Sequence, residues 1–132
     1  MKSIEHAEQV LLMQWWALAH QQFGVPEQLL FAIPNGGERN IIVAARMKKE
    51  GVRAGVPDLF LAAPKGGFHG LFIEMKKPKG GRVSKNQSSM IKLLSEQGYS
   101  AKVCCGWVEA RAEIERYLRQ QPNAQKVEPE TA

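Results

Sequence analysis

Two carboxylates and a lysine stand in runs where apolar side chains are expected. Asp58 opens Asp58-Leu59-Phe60-Leu61-Ala62-Ala63, and Glu74 and Lys76 interrupt Leu71-Phe72-Ile73-Glu74-Met75-Lys76. Fifteen residues separate the two acids, enough for a tight hairpin between short strands. Burying such groups is costly unless they are paired or hold a cation. Alternate residues of a strand share a face, so Glu74 and Lys76 project together while Ile73 and Met75 face the opposite side. With Asp58 on the neighbouring strand, two carboxylates, a backbone carbonyl and waters suit Mg²⁺, which uses few protein oxygens. Lys76 beside such a site could hold an attacking water at a phosphate and offset developing negative charge. The plainer alternative is a weak Glu74–Lys76 ion pair on an exposed strand. A Glu-x-Lys string alone is common; the preceding Pro57-Asp58 makes the combination selective.

The charge distribution points the same way. The chain has 132 residues and a net charge of +5, and 11 of its 18 basic residues lie between Arg39 and Lys85. Outside that stretch the acids outnumber the bases. Positive charge therefore surrounds the carboxylates, which favours a polyanionic phosphate partner over a merely solvated lysine-rich surface. The length fits one domain with a real core. No apolar run approaches the ~18–20 residues that span a bilayer, and the N-terminus lacks a signal-peptide core. Cys104 and Cys105 are neighbours, poorly placed for a structural disulfide, so a reduced, cytoplasmic setting is expected.

The elements that must position these groups can be read from periodicity and breakers. A helix is expected over residues 4–22, with Ser3 as cap, an inward stripe of Ile4, Leu11, Trp15 and Leu18, and a stop at Gly24 and Pro26. Trp15 and Trp16 read as core more than as base-stacking groups; on this phasing only Trp16, off the apolar centre, could belong to an interface. Residues 29–33 read as a strand and 40–50 as a helix ending at Gly51. Pro57 opens the strand 58–63; Pro64-Lys65-Gly66-Gly67 turns the chain into the strand 70–77. A helix over 86–97, with Met90, Leu93 and Leu94 inward, precedes a strand at 101–105 and a helix at 108–119. Residues 1–121 form the domain and 122–132 a loose tail. The order αβαββαβα gives an α/β fold, a central mixed sheet flanked by helices.

Gly55-Val56-Pro57-Asp58-Leu59-Phe60 followed by Phe72-Ile73-Glu74-Met75-Lys76 resembles the PD-(D/E)XK nuclease superfamily. Ile33-Pro34-Asn35-Gly36-Gly37 and the run from Lys76-Lys77-Pro78-Lys79-Gly80 to Gln87 narrow the resemblance to its VRR-NUC branch, over Glu5 to about Leu118. The resemblance implies a restriction-endonuclease-like core, with Asp58, Glu74 and the Met75 carbonyl as ligands of Mg²⁺ or Mn²⁺. Lys76 would be the catalytic lysine and Gln87 a glutamine lining the site, although Gln87 also reads as a solvated first-turn residue. The family places an acid on the first helix, and Glu5, four residues before Gln9, fits its E-x-x-x-Q pattern. Glu8 lies nearer the middle of the Ile4/Leu11/Trp15 stripe. Glu5 is preferred on the motif, and the choice between the two stays open.

Stand-alone relatives of this type, bacterial or phage, imply a homodimeric endonuclease acting on branched DNA such as four-way junctions or flaps. Asn35, Arg39, Arg46, Lys48, Arg53, Lys77, Lys79, Arg82 and Lys85 are the side chains expected at phosphates, where contacts position the backbone without reading bases. Two rival readings stay in view: a nucleic-acid-binding protein with a vestigial site, and a nuclease acting on RNA. His6, His20 and His69 lack metal-ligand spacing, so zinc is not expected. Neither Pro-Lys-Gly-Gly string fits a P-loop.

Overall fold

The computed structural model describes residues 3–34 and 41–123. Asn35 and Arg39, expected at phosphates, lie outside the described residues, as do 124–132 of the expected tail. The elements are α1 (Ser3–Ala19), β1 (Leu30–Ala32), α2 (Ile41–Lys49), β2 (Leu59–Leu61), β3 (Leu71–Lys76), α3 (Lys85–Glu96), β4 (Ser100–Cys105) and α4 (Trp107–Leu118). This is the order expected from the sequence.

One four-stranded sheet runs β1-β2-β3-β4. The first two pairings are antiparallel and β3–β4 is parallel, with α3 as the crossover that a parallel pair requires. Leu59 pairs with Ile73 and Phe60 with Phe72, so the two runs that carry the acids form adjacent strands. Strand alternation then sorts β3. Leu71, Ile73 and Met75 enter the core with Leu12, Trp16, Ile114 and Tyr117, beneath α1 and α4. Phe72, Glu74 and Lys76 lie on the other face. There Phe31, Phe60 and Phe72 are cross-strand partners, and Phe60 stacks on Phe72 with ring centroids 4.3 Å apart.

The first helix is phased differently from its expected stripe. Leu12, Trp16 and Ala19 are buried, whereas Ile4 and Leu11 are exposed and Leu18 is 84% exposed. Trp16 is a core residue, not an interface candidate: its indole N–H donates to the Glu27 carbonyl at 2.9 Å and its ring stacks on Phe23. A buried indole needs such an acceptor, and the turn at Glu27 supplies it, which fixes the rotation of α1. The helix ends at Ala19, and a tighter 3₁₀ turn (His20–Phe23) follows before Gly24 takes a left-handed conformation.

Two smaller corrections have similar causes. Leu93, expected inward, is 56% exposed because α3 meets the sheet mainly along β4, leaving Met90 and Leu94 half-buried. Asn123, expected in the loose tail, bonds the 66–68 turn: Gly67 N–H donates to its Oδ1 at 2.7 Å and its Nδ2 donates to Phe68 O. At the other end of that segment, Tyr117 O–H donates to Ala63 O at 2.7 Å.

Candidate active site

Asp58 precedes β2, and Glu74 and Lys76 are on β3, so the hairpin register alone brings them together. Asp58 is held by Met75, whose N–H donates to Asp58 Oδ2 at 2.7 Å. A charge-assisted bond of this length fixes the carboxylate beside the Glu-x-Lys segment. Glu74 is only 4% exposed and Lys76 9%, and Lys76 Nζ lies 3.6 Å from Glu74 Oε2. This is no surface pair.

Burial pushes the Glu74 carboxyl up to about 8, with the Asp58 charge and a side-chain hydrogen bond to Asp58 adding to the effect; Lys76 opposes it. Two carboxylates this close, one of them buried, cannot both ionise cheaply. Lys76 balances one carboxylate, so ionising both calls for further positive charge in the site. The donor set is two carboxylates with main-chain oxygens nearby, which fits a hard divalent cation such as Mg²⁺ or Mn²⁺.

The pair opens into a cleft of about 350 Å³. Residues 54–56 form one wall, and Ser84, Asn86 and Gln87 form the other. Gly55 sets the spacing of these walls. It has φ +84°, and a Cβ there would lie 2.4 Å from Asn86 O, so only glycine permits this approach of the loop to the start of α3. Ser84 caps α3 by accepting from Gln87 N–H at 3.1 Å, and Gln87 Oε1 accepts from Ser84 N–H at 2.9 Å. Gln87 therefore lines the cleft as expected, but its side-chain oxygen is engaged in a reciprocal cap. Its two amide N–H donors are the groups it can offer a ligand while the cap holds.

The expected phosphate contacts divide between the walls. Arg53 adjoins the 54–56 wall, and Lys77, Lys79, Arg82 and Lys85 follow β3 into the start of α3; all but half-buried Lys77 are exposed. Arg46 and Lys48 are exposed on α2, with Arg46 Nε 3.7 Å from Glu50 Oε1. The fourth acid does not join the pair: no group of three His, Cys, Asp or Glu side chains placed to hold a metal occurs among the described residues. Glu5 and Glu8 are both half-buried, on the arc of α1 that carries Leu12, Trp16 and Ala19. Glu8 Oε1 lies against Gly106, whose N–H donates to the Lys76 carbonyl at 2.8 Å. Ser84 and Asn86 are site-forming residues that were not anticipated, and Gly55 was read only as part of the motif. The Ser84-x-x-Gln87 spacing was the available signal for the cap.

A mixed α/β sheet that presents an aspartate and a Glu-x-Lys segment on one face defines the restriction-endonuclease-like class. The chain belongs to the VRR-NUC family of nucleases: the VRR-NUC domain model matches residues 3–107. A solved structure named "VRR_NUC domain protein" is similar, with 28% sequence identity and a TM-score of 0.78, covering 92% of this chain and 93% of that one. No curated protein matches the chain. No helix among the described residues is long and apolar enough to cross a membrane.

Proposed function

We propose that the protein is a metal-dependent DNA endonuclease that hydrolyses phosphodiester bonds in branched DNA and works as a homodimer. The meeting of Asp58 and Glu74 in one cleft, with Lys76 paired to Glu74 behind them, carries this reading. Asp58, Glu74 and the Met75 carbonyl would hold Mg²⁺ or Mn²⁺; the α1 acid, Glu5 in preference to Glu8, stands outside that set and would act on the bound substrate or water. The cation would supply Lewis-acid stabilisation of charge at the phosphate.

The chain's own groups do the remaining work. Met75 N–H keeps Asp58 turned toward Glu74. Lys76 holds water at the phosphate and offsets charge as it develops, its buried position strengthening both effects. Gln87 donates from its amide to a phosphate oxygen. The exposed basic residues on both walls bind the backbone without reading sequence, which suits selection by DNA shape. A symmetric cut at a junction needs two such sites, which a second copy provides.

A panel of labelled duplexes, flaps, splayed arms and four-way junctions, incubated with Mg²⁺, Mn²⁺ or EDTA, tests this. Branched DNA should be cut only with metal, and folded Lys76→Ala should be inactive. Salt-sensitive binding without turnover at any metal concentration would identify a vestigial site. Preference for the RNA version of a cleaved junction would reassign the substrate. Light scattering reads the dimer.

A further inference from the structure

A second cleft of about 370 Å³ adjoins the first and shares Val56 as a wall. Its other apolar surfaces come from Ile33, Pro34 and Val52. Ile33 sits directly beside the acid pair, since its N–H donates to the Asp58 carbonyl at 2.8 Å. Val52 is fixed by its own N–H, which donates to Met47 O at 3.0 Å at the end of α2. The charged residues in its lining are Arg53, which is exposed, and Glu50, which is ion-paired to Arg46. The recess is thus mainly aliphatic inside, cationic at Arg53, and divided from the cleft that holds the carboxylates by Val56, which lines both.

We infer that this second cleft receives the base of one unpaired nucleotide adjacent to the phosphate at Asp58, Glu74 and Lys76, with Arg53 against that nucleotide's phosphate. The inference rests on the nuclease reading and adds a nucleoside subsite to it. Phosphates match Arg53 and the basic walls, but Ile33, Val52 and Val56 offer a phosphate nothing. The apolar part of a nucleic acid is the face of its bases, and in duplex that face is stacked away. A recess of this volume admits one small-molecule-sized group, not a base pair within a helix. Bases are least costly to extrude where they are already unpaired, as at a fork or branch. The subsite therefore gives the chain a physical means to favour branched DNA over duplex without sequence readout.

The test uses the full chain and a fluorescent splayed-arm DNA in which each nucleotide near the branch is replaced in turn by an abasic residue. Binding is read by anisotropy in EDTA, and cleavage in Mn²⁺. Wild type should lose about tenfold in both at one position. Val52→Trp, which fills the recess, should bring the intact fork down to the abasic level while leaving the abasic fork unchanged. Val52→Ser, should the tryptophan variant misfold, should reduce binding of the intact fork alone by about threefold. Equal losses on intact and abasic forks, or no loss in any abasic substitution, would overturn the subsite. A wild type that cleaves nothing but keeps the position-specific binding loss would sink the nuclease reading and leave the subsite standing.

Discussion

On one face of β3, Ile73 and Met75 are sealed under α1 and α4 by Leu12, Trp16, Ile114 and Tyr117. On the other face, Glu74 and Lys76 are covered almost as completely, yet they are ionisable side chains and line up with Asp58. Apolar burial on the first face stabilises the fold outright. Burial on the second costs stability and leaves a carboxylate pair that one lysine does not balance. A single strand thus separates the group that holds the protein together from the group that the chemistry needs. Mutations on its two faces should fail in different ways.

The largest expected effect is on the polar face. Lys76→Ala or Glu74→Ala should lower metal-dependent cleavage by at least a hundred- to a thousandfold while circular dichroism stays that of wild type. Substantial activity in either folded variant would erase the contrast between the faces. Gly55→Ala should displace the start of α3, because its Cβ would meet Asn86 O at 2.4 Å. A shift of about 1 Å can cost about a hundredfold in kcat, with only about 1–3 kcal/mol lost in unfolding measurements. Wild-type kcat would show that the wall spacing is immaterial. On the apolar face, Ile73→Ala should cost about 2–5 kcal/mol in denaturant unfolding and leave activity per folded molecule nearly intact.

A finer contrast concerns the first helix. Glu5→Ala should reduce cleavage by tenfold or more, and Glu8→Ala less; the reverse order would give the role to Glu8. The last contrast is read in pH dependence, without any change in activity. Glu74 titrates near 8 against a reference of 4.5, so the metal-free fold binds an extra proton between those values. Its contribution to stability is fully present below about 4.5 and lost as pH rises through about 8. In EDTA, Glu74→Gln should therefore gain Tm relative to wild type as pH moves from 5 to 9. A constant difference across that range would show that Glu74 is not the titrating group.

The polar face was legible in the sequence and the rotation of α1 was not. Asp58, Glu74 and Lys76 announced themselves by residue type, because period-2 alternation with Ile73 and Met75 leaves them one direction to point. The β2–β3 hairpin, and the mixed sheet that α3 permits, followed from the turn strings and element order. Helix α1, by contrast, carries two apolar stripes: Ile4/Leu11/Leu18 and Leu12/Trp16/Ala19. Periodicity cannot choose between them; the Glu27 carbonyl does, by accepting from Trp16. Gly55 was read as motif, but its reason lies in Asn86, 31 positions along the chain.

The reciprocal cap between Ser84 and Gln87 makes the start of α3 a reporter. If a bound phosphate takes the Gln87 amide away from the cap, the Ser84 N–H loses its acceptor and the Gln87 N–H is left on a frayed turn. Occupancy of the cleft would then appear as faster amide hydrogen exchange at Ser84 and Gln87 against unchanged protection in β3. If the amide keeps its cap and only its N–H donors engage, the same amides would slow instead. The sign of that change reads how Gln87 meets its ligand, without a turnover experiment.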